Sequence, residues 1–159
     1  MPNGVPFTAF NYTVEITLPD SAEPLCQAAF AECSGLEMTA EVKTIRQGGQ
    51  NGGPVHLVGP VSYSQLSLRR GMTESFDLWE WFERVLRDGQ QHLRATCEVH
   101  LRTSDRRGDA AVFVLTGCLP TRLRAPALNA KDGQLAIEEM QIAYESMVLQ
   151  RPRGGMSGA

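Results

Sequence analysis

The chain has 159 residues, 42% of them hydrophobic and 21% charged, with a formal net charge of −3. That length suits one domain with a sizeable core, and that composition excludes intrinsic disorder. The mildly acidic balance argues against a dedicated nucleic-acid binder, and no apolar run approaches the roughly 20 residues that cross a bilayer.

The opening Met-Pro-Asn-Gly-Val-Pro lacks the basic-then-apolar pattern of a secretory signal. The expectation is a chain made and folded in the cytoplasm, with no membrane binding. Residues 7–18 then alternate, with Tyr12, Val14, Ile16 and Leu18 against Thr13, Glu15 and Thr17, the period of a half-buried strand. Pro19, Asp20 and Pro24 break it. A second extended stretch spans residues 26–33. A third, residues 36–45, sets Leu36, Met38, Ala40 and Val42 against Glu37, Thr39, Glu41 and Lys43.

The segment from Gly48 to Pro60 holds four glycines in the six residues 48–53. Glycine loses much backbone freedom on ordering, so this reads as a long, functional or mobile loop. A strand is expected over residues 62–70, with Leu66 and Leu68 inward. One helix follows, capped by Thr73, favoured at its start by Glu74 and Asp77, and stopped by Gly89. Leu78, Trp79, Phe82, Val85 and Leu86 form its apolar stripe, read as core packing.

The cleanest alternation lies at residues 93–103, where Leu93, Ala95, Cys97, Val99 and Leu101 oppose Arg94, Thr96, Glu98, His100 and Arg102. A polar hairpin connection at residues 104–109 leads into a strand over residues 110–118. Pro120, Pro126 and Gly133 mark a second irregular region. Residues 134–149 fit strand and helix patterns equally well, and residues 151–159 read as a flexible tail. Seven or so strands and one helix make a mainly β sandwich or open barrel occupying residues 1–150.

Chemistry is sparse. The four cysteines form no Cys-x-x-Cys pair, and the three histidines stand alone without metal-ligand spacing. Cys33 or Ser34 lacks the context of a nucleophile. Glu138 and Glu139, as neighbours in a strand, point to opposite faces. The glycine-rich segment lacks the Gly-Lys-Ser/Thr ending of a phosphate loop. The reading is of a non-enzyme without metal or cofactor.

Several stretches, in order, carry a resemblance. They are Phe30-x-x-Cys33-Ser34-Gly35-Leu36, Arg46-Gln47-Gly48-Gly49-Gln50-Asn51, Leu66-Ser67-Leu68-Arg69-Arg70-Gly71-Met72-Thr73, Leu78-Trp79-x-Trp81, Pro126-Ala127-Leu128-Asn129-Ala130 and Ala136-Ile137-Glu138-x-Met140 through Tyr144-Glu145. Together they resemble the tail-tube proteins of contractile phage tails and of phage-tail-like contractile injection systems. The chain departs from that pattern at Gln47, where Glu is common, and at Tyr144, where His is frequent.

The resemblance implies a mainly β protomer with one flanking helix, six copies closing into a ring around a continuous β-barrel, and rings stacked into a tube. Its implied partners are further copies of itself, the contractile sheath, baseplate and hub proteins, and protein cargo or DNA in the lumen, within a particle that can be released. It also resolves residues 134–149 toward a strand. It assigns Arg46, Gln47, Gly48, Gly49, Gln50, Asn51, Gly52, Gly53 and Pro54 to contact with the neighbouring ring. Arg94, Thr96, Glu98, His100 and Arg102 become the polar face toward the lumen or a neighbouring subunit. The alternatives are a tube-initiating paralogue at the baseplate and, in a different class, a small-ligand-binding β-barrel.

Overall fold

The computed structural model describes residues 11–46, 52–88, 94–103, 105, 107–131, 133 and 135–151. Its elements run β1 (Tyr12–Thr17), β2 (Cys26–Ala28), β3 (Glu32–Ser34), β4 (Met38–Ile45), β5 (Val55–Tyr63), β6 (Leu66–Gly71), α1 (Asp77–Asp88), β7 (Ala95–Arg102), β8 (Asp109–Arg124), β9 (Ile137–Ala143) and β10 (Ser146–Gln150). Every strand pairing is antiparallel.

Strand β8 joins two layers. Its first half pairs with β7 on one side and β10 on the other, and its second half pairs with β9, giving the path β2-β1-β7-β8-β9-β6-β3. The bend falls at Gly117, whose φ of +65° suits glycine and marks a bulge between the Cys97 and Ala95 pairings. The inward faces of both layers meet in one core of Val14, Ile16, Leu66, Leu68, Cys97, Val99, Leu115, Met140 and Ile142, closed by Leu78 and Trp81 of α1.

The structure corrects five expectations. The loop expected from Gly48 to Pro60 is strand from Val55 onward: β5 pairs with β4 in a separate two-stranded ribbon. Gly59 and Pro60 fit because they form the bulge opposite Glu41, between the Ala40–Val61 and Val42–Val58 pairs, where a proline owes no ladder hydrogen bond. Strand β4 has no core face, since all its side chains are exposed. Strand β8 runs on through Pro120, again at a register shift.

The helix begins at Asp77, whose carboxylate accepts the Leu78 amide at 2.8 Å. Thr73 instead accepts the Ser75 amide in the preceding turn; Gly89 lies outside the described residues. Finally, the apolar stripe is rotated. Trp81 is 0% exposed and Leu78 is buried with it, Phe82 and Val85 pack alongside, Trp79 is half-buried, and Leu86 is 72% exposed. The spacing 78, 81, 82, 85 is the true i, i+3, i+4, i+7 face. The C-terminal segment is two strands, β9 and β10, separated by Tyr144 and Glu145.

Candidate functional site

Three sets of side chains stand out: an exposed ribbon, a polar sheet face and a buried ion network. The ribbon is the least self-sufficient part of the fold. Register places Met38, Ala40 and Val42 on the same face as Val58, Val61 and Tyr63. Its other face carries Leu57, Ile45 and Val55 toward the tip, beside Lys43. Val58 is 78% exposed, and Met38, Val42, Ile45, Val55, Leu57 and Val61 are all exposed. A contiguous apolar patch of this kind marks an interaction surface rather than a solvent face.

The base of the ribbon is clamped to the core. Tyr144 Oη donates to the Gly35 carbonyl at 2.7 Å and accepts the Glu37 amide at 3.2 Å. The Tyr144 ring packs tilted against Tyr63, with centroids 5.3 Å apart. Ser64 adds two hydrogen bonds to Glu37, amide to carbonyl and hydroxyl to carboxylate. Gly35 has a φ of +92°, and a Cβ there would overlap the Gln65 carbonyl. Only glycine lets the chain turn into the ribbon at this point.

The polar face lies on β7. Thr96, Glu98, His100 and Arg102 point away from the core that Ala95, Cys97 and Val99 enter. Arg94, just before the strand, pairs with Glu145. His100 Nδ1 is 2.8 Å from Asp109 and Nε2 is 3.0 Å from Glu98, with Glu15 further off at 3.9 Å. Arg102 bonds Thr13 and lies 3.3 Å from Asp109. Alternation alone already set Glu98, His100 and Arg102 on one face; Glu15 and Asp109 join them only through the β1–β7 and β7–β8 pairings.

The third set is hidden. Glu138 is 1% exposed and accepts Arg70 Nε at 2.6 Å and Trp79 Nε1 at 2.8 Å. Arg70 also pairs with Asp77 at the helix start and lies over the Phe30 ring. Burial works against both charges. Against it, Asp77 and Glu138 raise the Arg70 pKa further, and Arg70 holds the Asp77 carboxyl below its usual value. The network bolts α1 to β6 and β9. Burial pushes the nearby Cys26 thiol up to about 12, with Asp77 adding to it, and burial alone does the same for Cys33.

Of the loop residues singled out in the sequence, Arg46, Gly52, Gly53 and Pro54 are exposed at the ribbon tip. Gln47, Gly48, Gly49, Gln50 and Asn51 lie outside the described residues. A cleft of about 440 Å³ opens among Arg69, Arg124, Leu128 and Leu135. It is not an enclosed apolar cavity within the barrel.

Residues 8–148 match the family model described as T4-like virus tail tube protein gp19. The chain belongs to this tail-tube family. It is a tail-tube protein of the kind found in phage tails and contractile injection systems. No curated protein matches it. Among solved structures it is similar to a chain of the six-fold symmetrised anti-feeding prophage baseplate, at 26% identity and a TM-score of 0.79, covering 92% of this chain and 97% of that one. It shares the fold of a chain in the sheath–tube complex of an extracellular contractile injection system, PVC, in its extended state, at 18% identity and TM-score 0.75, covering 94% and 95%. It likewise shares the fold of a chain in the anti-feeding prophage tube-terminating cap, at 17% identity and TM-score 0.76, covering 96% and 95%.

The exposed ribbon leaves its apolar side chains uncovered, while the polar β7 face is bonded within the protomer. The buried network and the Tyr144 clamp are what hold those surfaces in place.

Proposed function

We propose that this protein is the structural inner-tube subunit of a contractile injection system or phage tail. Six copies close into a ring, rings stack, and the sheath drives the resulting tube through a target envelope. The observation that carries the reading is the β4–β5 ribbon. An apolar face this exposed is unstable in solution as a free hairpin, and burial against the next copy satisfies it. Among the described residues β10 and β2 each pair on one side only, and their outer edges supply backbone groups through which neighbouring protomers continue the sheet, removing edges that would otherwise aggregate. Val148 and Leu149 of β10, exposed in the single protomer, add apolar area to that junction.

Arg46, Gly52, Gly53 and Pro54 at the ribbon tip contact the adjacent ring, and Arg94, Thr96, Glu98, His100 and Arg102 face the lumen or a neighbour. The subunit performs no chemistry; its partners are further copies of itself, the sheath, baseplate and hub proteins, and protein cargo or DNA. The test is Val42→Asp and Val58→Asp, measured by light scattering over a range of concentrations. Folded variants that stay monomeric where the parent chain forms rings support the reading; variants that assemble normally contradict it.

A second reading places the chain at the baseplate end of the tube, as the paralogue that starts it. The greater identity to the baseplate chain than to the sheath–tube chain favours it. Immunogold labelling of assembled particles separates the two, marking the whole shaft in one case and one end in the other.

A further inference from the structure

We propose that Glu15, Glu98 and His100 form a divalent metal site on the outer face of the β1–β7 pair, of the imidazole-plus-carboxylate type that takes Zn²⁺. One ligand atom from each of the three lies within 4.8 Å of the others, the only such group among the described residues.

Glu15 and Glu98 are direct cross-strand partners on the same face. Like charges placed opposite one another in an antiparallel pair destabilise it, so a sheet that holds them together calls for a countercharge. Arg102, the cation on the same strand, is engaged elsewhere, with Thr13 and Asp109. What faces the two glutamates is the Nε2 edge of His100.

Asp109 Oδ2 sits 2.8 Å from His100 Nδ1 and Glu98 Oε2 sits 3.0 Å from Nε2. An ionised carboxylate can only accept, so a metal ion at Nε2 takes the place of a proton there while Nδ1 keeps donating to Asp109. Nε2 and the carboxylates of Glu98 and Glu15, 3.0 Å and 3.9 Å from it, all offer lone pairs to such an ion. A cation between them relieves all three. A carboxylate accepting the far N–H of a ligating imidazole is the usual means of fixing such a ligand and raising its basicity, and Asp109 stands in that position. One nitrogen and two carboxylate oxygens suit Zn²⁺, with bond lengths of roughly 2.0–2.2 Å and remaining positions open to water. Closing the 4.8 Å spread to those bond lengths needs only side-chain rotation, since all three groups are partly exposed.

The three ligands come from one protomer, whichever way the face points in an assembly. If the face lines a six-membered ring, six sites follow around one circumference.

The test is calorimetric titration of the tag-free full chain with zinc chloride, beside His100→Gln, Glu98→Gln and Asp109→Asn, each checked for native circular dichroism. The expected result is one Zn²⁺ per protomer for the parent chain, binding lost in His100→Gln, and affinity at least tenfold weaker in Glu98→Gln and in Asp109→Asn. Absence of stoichiometric binding, or binding unchanged in His100→Gln, overturns the proposal. Retention of full affinity in a folded Glu98→Gln overturns it as well, because the remaining pair cannot make the site. If His100→Gln fails to fold, the Glu98→Gln arm decides alone.

Discussion

Glu138 shows how one residue can tie a fold together. It is a buried carboxylate bonded to a guanidinium and an indole N–H, and removing it takes from the buried Arg70 one of the two carboxylates it pairs with. Breaking one partner of a buried pair costs about 3–5 kcal/mol, so Glu138→Ala is expected to lower unfolding free energy by that amount in urea titration. Asp77 adds a pH dependence. Its folded pKa is lowered, so its contribution is fully present above the unfolded value of about 3.9 and lost as pH falls through the folded value. Urea midpoints should therefore drop between pH 5 and pH 3, and less so in Asp77→Asn. The adjacency of Glu138 and Glu139 already implied opposite faces. That Glu138 meets Arg70, 68 positions earlier, was not legible, because only the β6–β9 pairing brings them together.

At the scale of elements, alternation revealed β1 and β7, where one face is core and the other polar. The same pattern misled over β4, whose alternation belongs to a ribbon with no core behind it. Strand β5 was hidden by Gly59 and Pro60, residues that stop a central strand yet sit without penalty in a bulge. The helix was legible, but its face took in Trp79 and Leu86 where Trp81 belongs. Trp81→Ala should cost about 3–5 kcal/mol, whereas Leu86→Ala should change the stability of the isolated protomer by under about 0.5 kcal/mol. Chemical denaturation of the two variants checks the assignment, and equal losses would contradict it. Gly35 is the element-scale counterpart for the ribbon. Gly35→Ala forces strain at positive φ and a backbone overlap, so a loss of at least about 1–3 kcal/mol is expected, with Ser34-Gly35 the one part of that turn visible in the sequence.

Over the whole molecule, the protomer is a complete core carrying incomplete surfaces. The sequence could supply the family through ordered motifs, since Arg70, Gly35 and Glu138 fall within them and each has a structural duty. It could not supply the ribbon, because apolar side chains exposed on both strands look like core positions until the pairing is known. Cys26, Cys97 and Cys118 are buried in that core and Cys33 packs against it. With Cys26 and Cys33 raised to about 12, a thiol reagent at pH 8 should label the native protein slowly and all four cysteines after denaturation; fast native labelling would show a looser core.

The most direct measurement is electron microscopy of the purified chain across concentration, alone and mixed with the sheath and baseplate of its own particle. Six-fold rings or stacked tubes, with the β4–β5 ribbon lying on the adjacent copy, are the expected result. A chain that remains monomeric in every mixture, its ribbon facing solvent, would contradict the account.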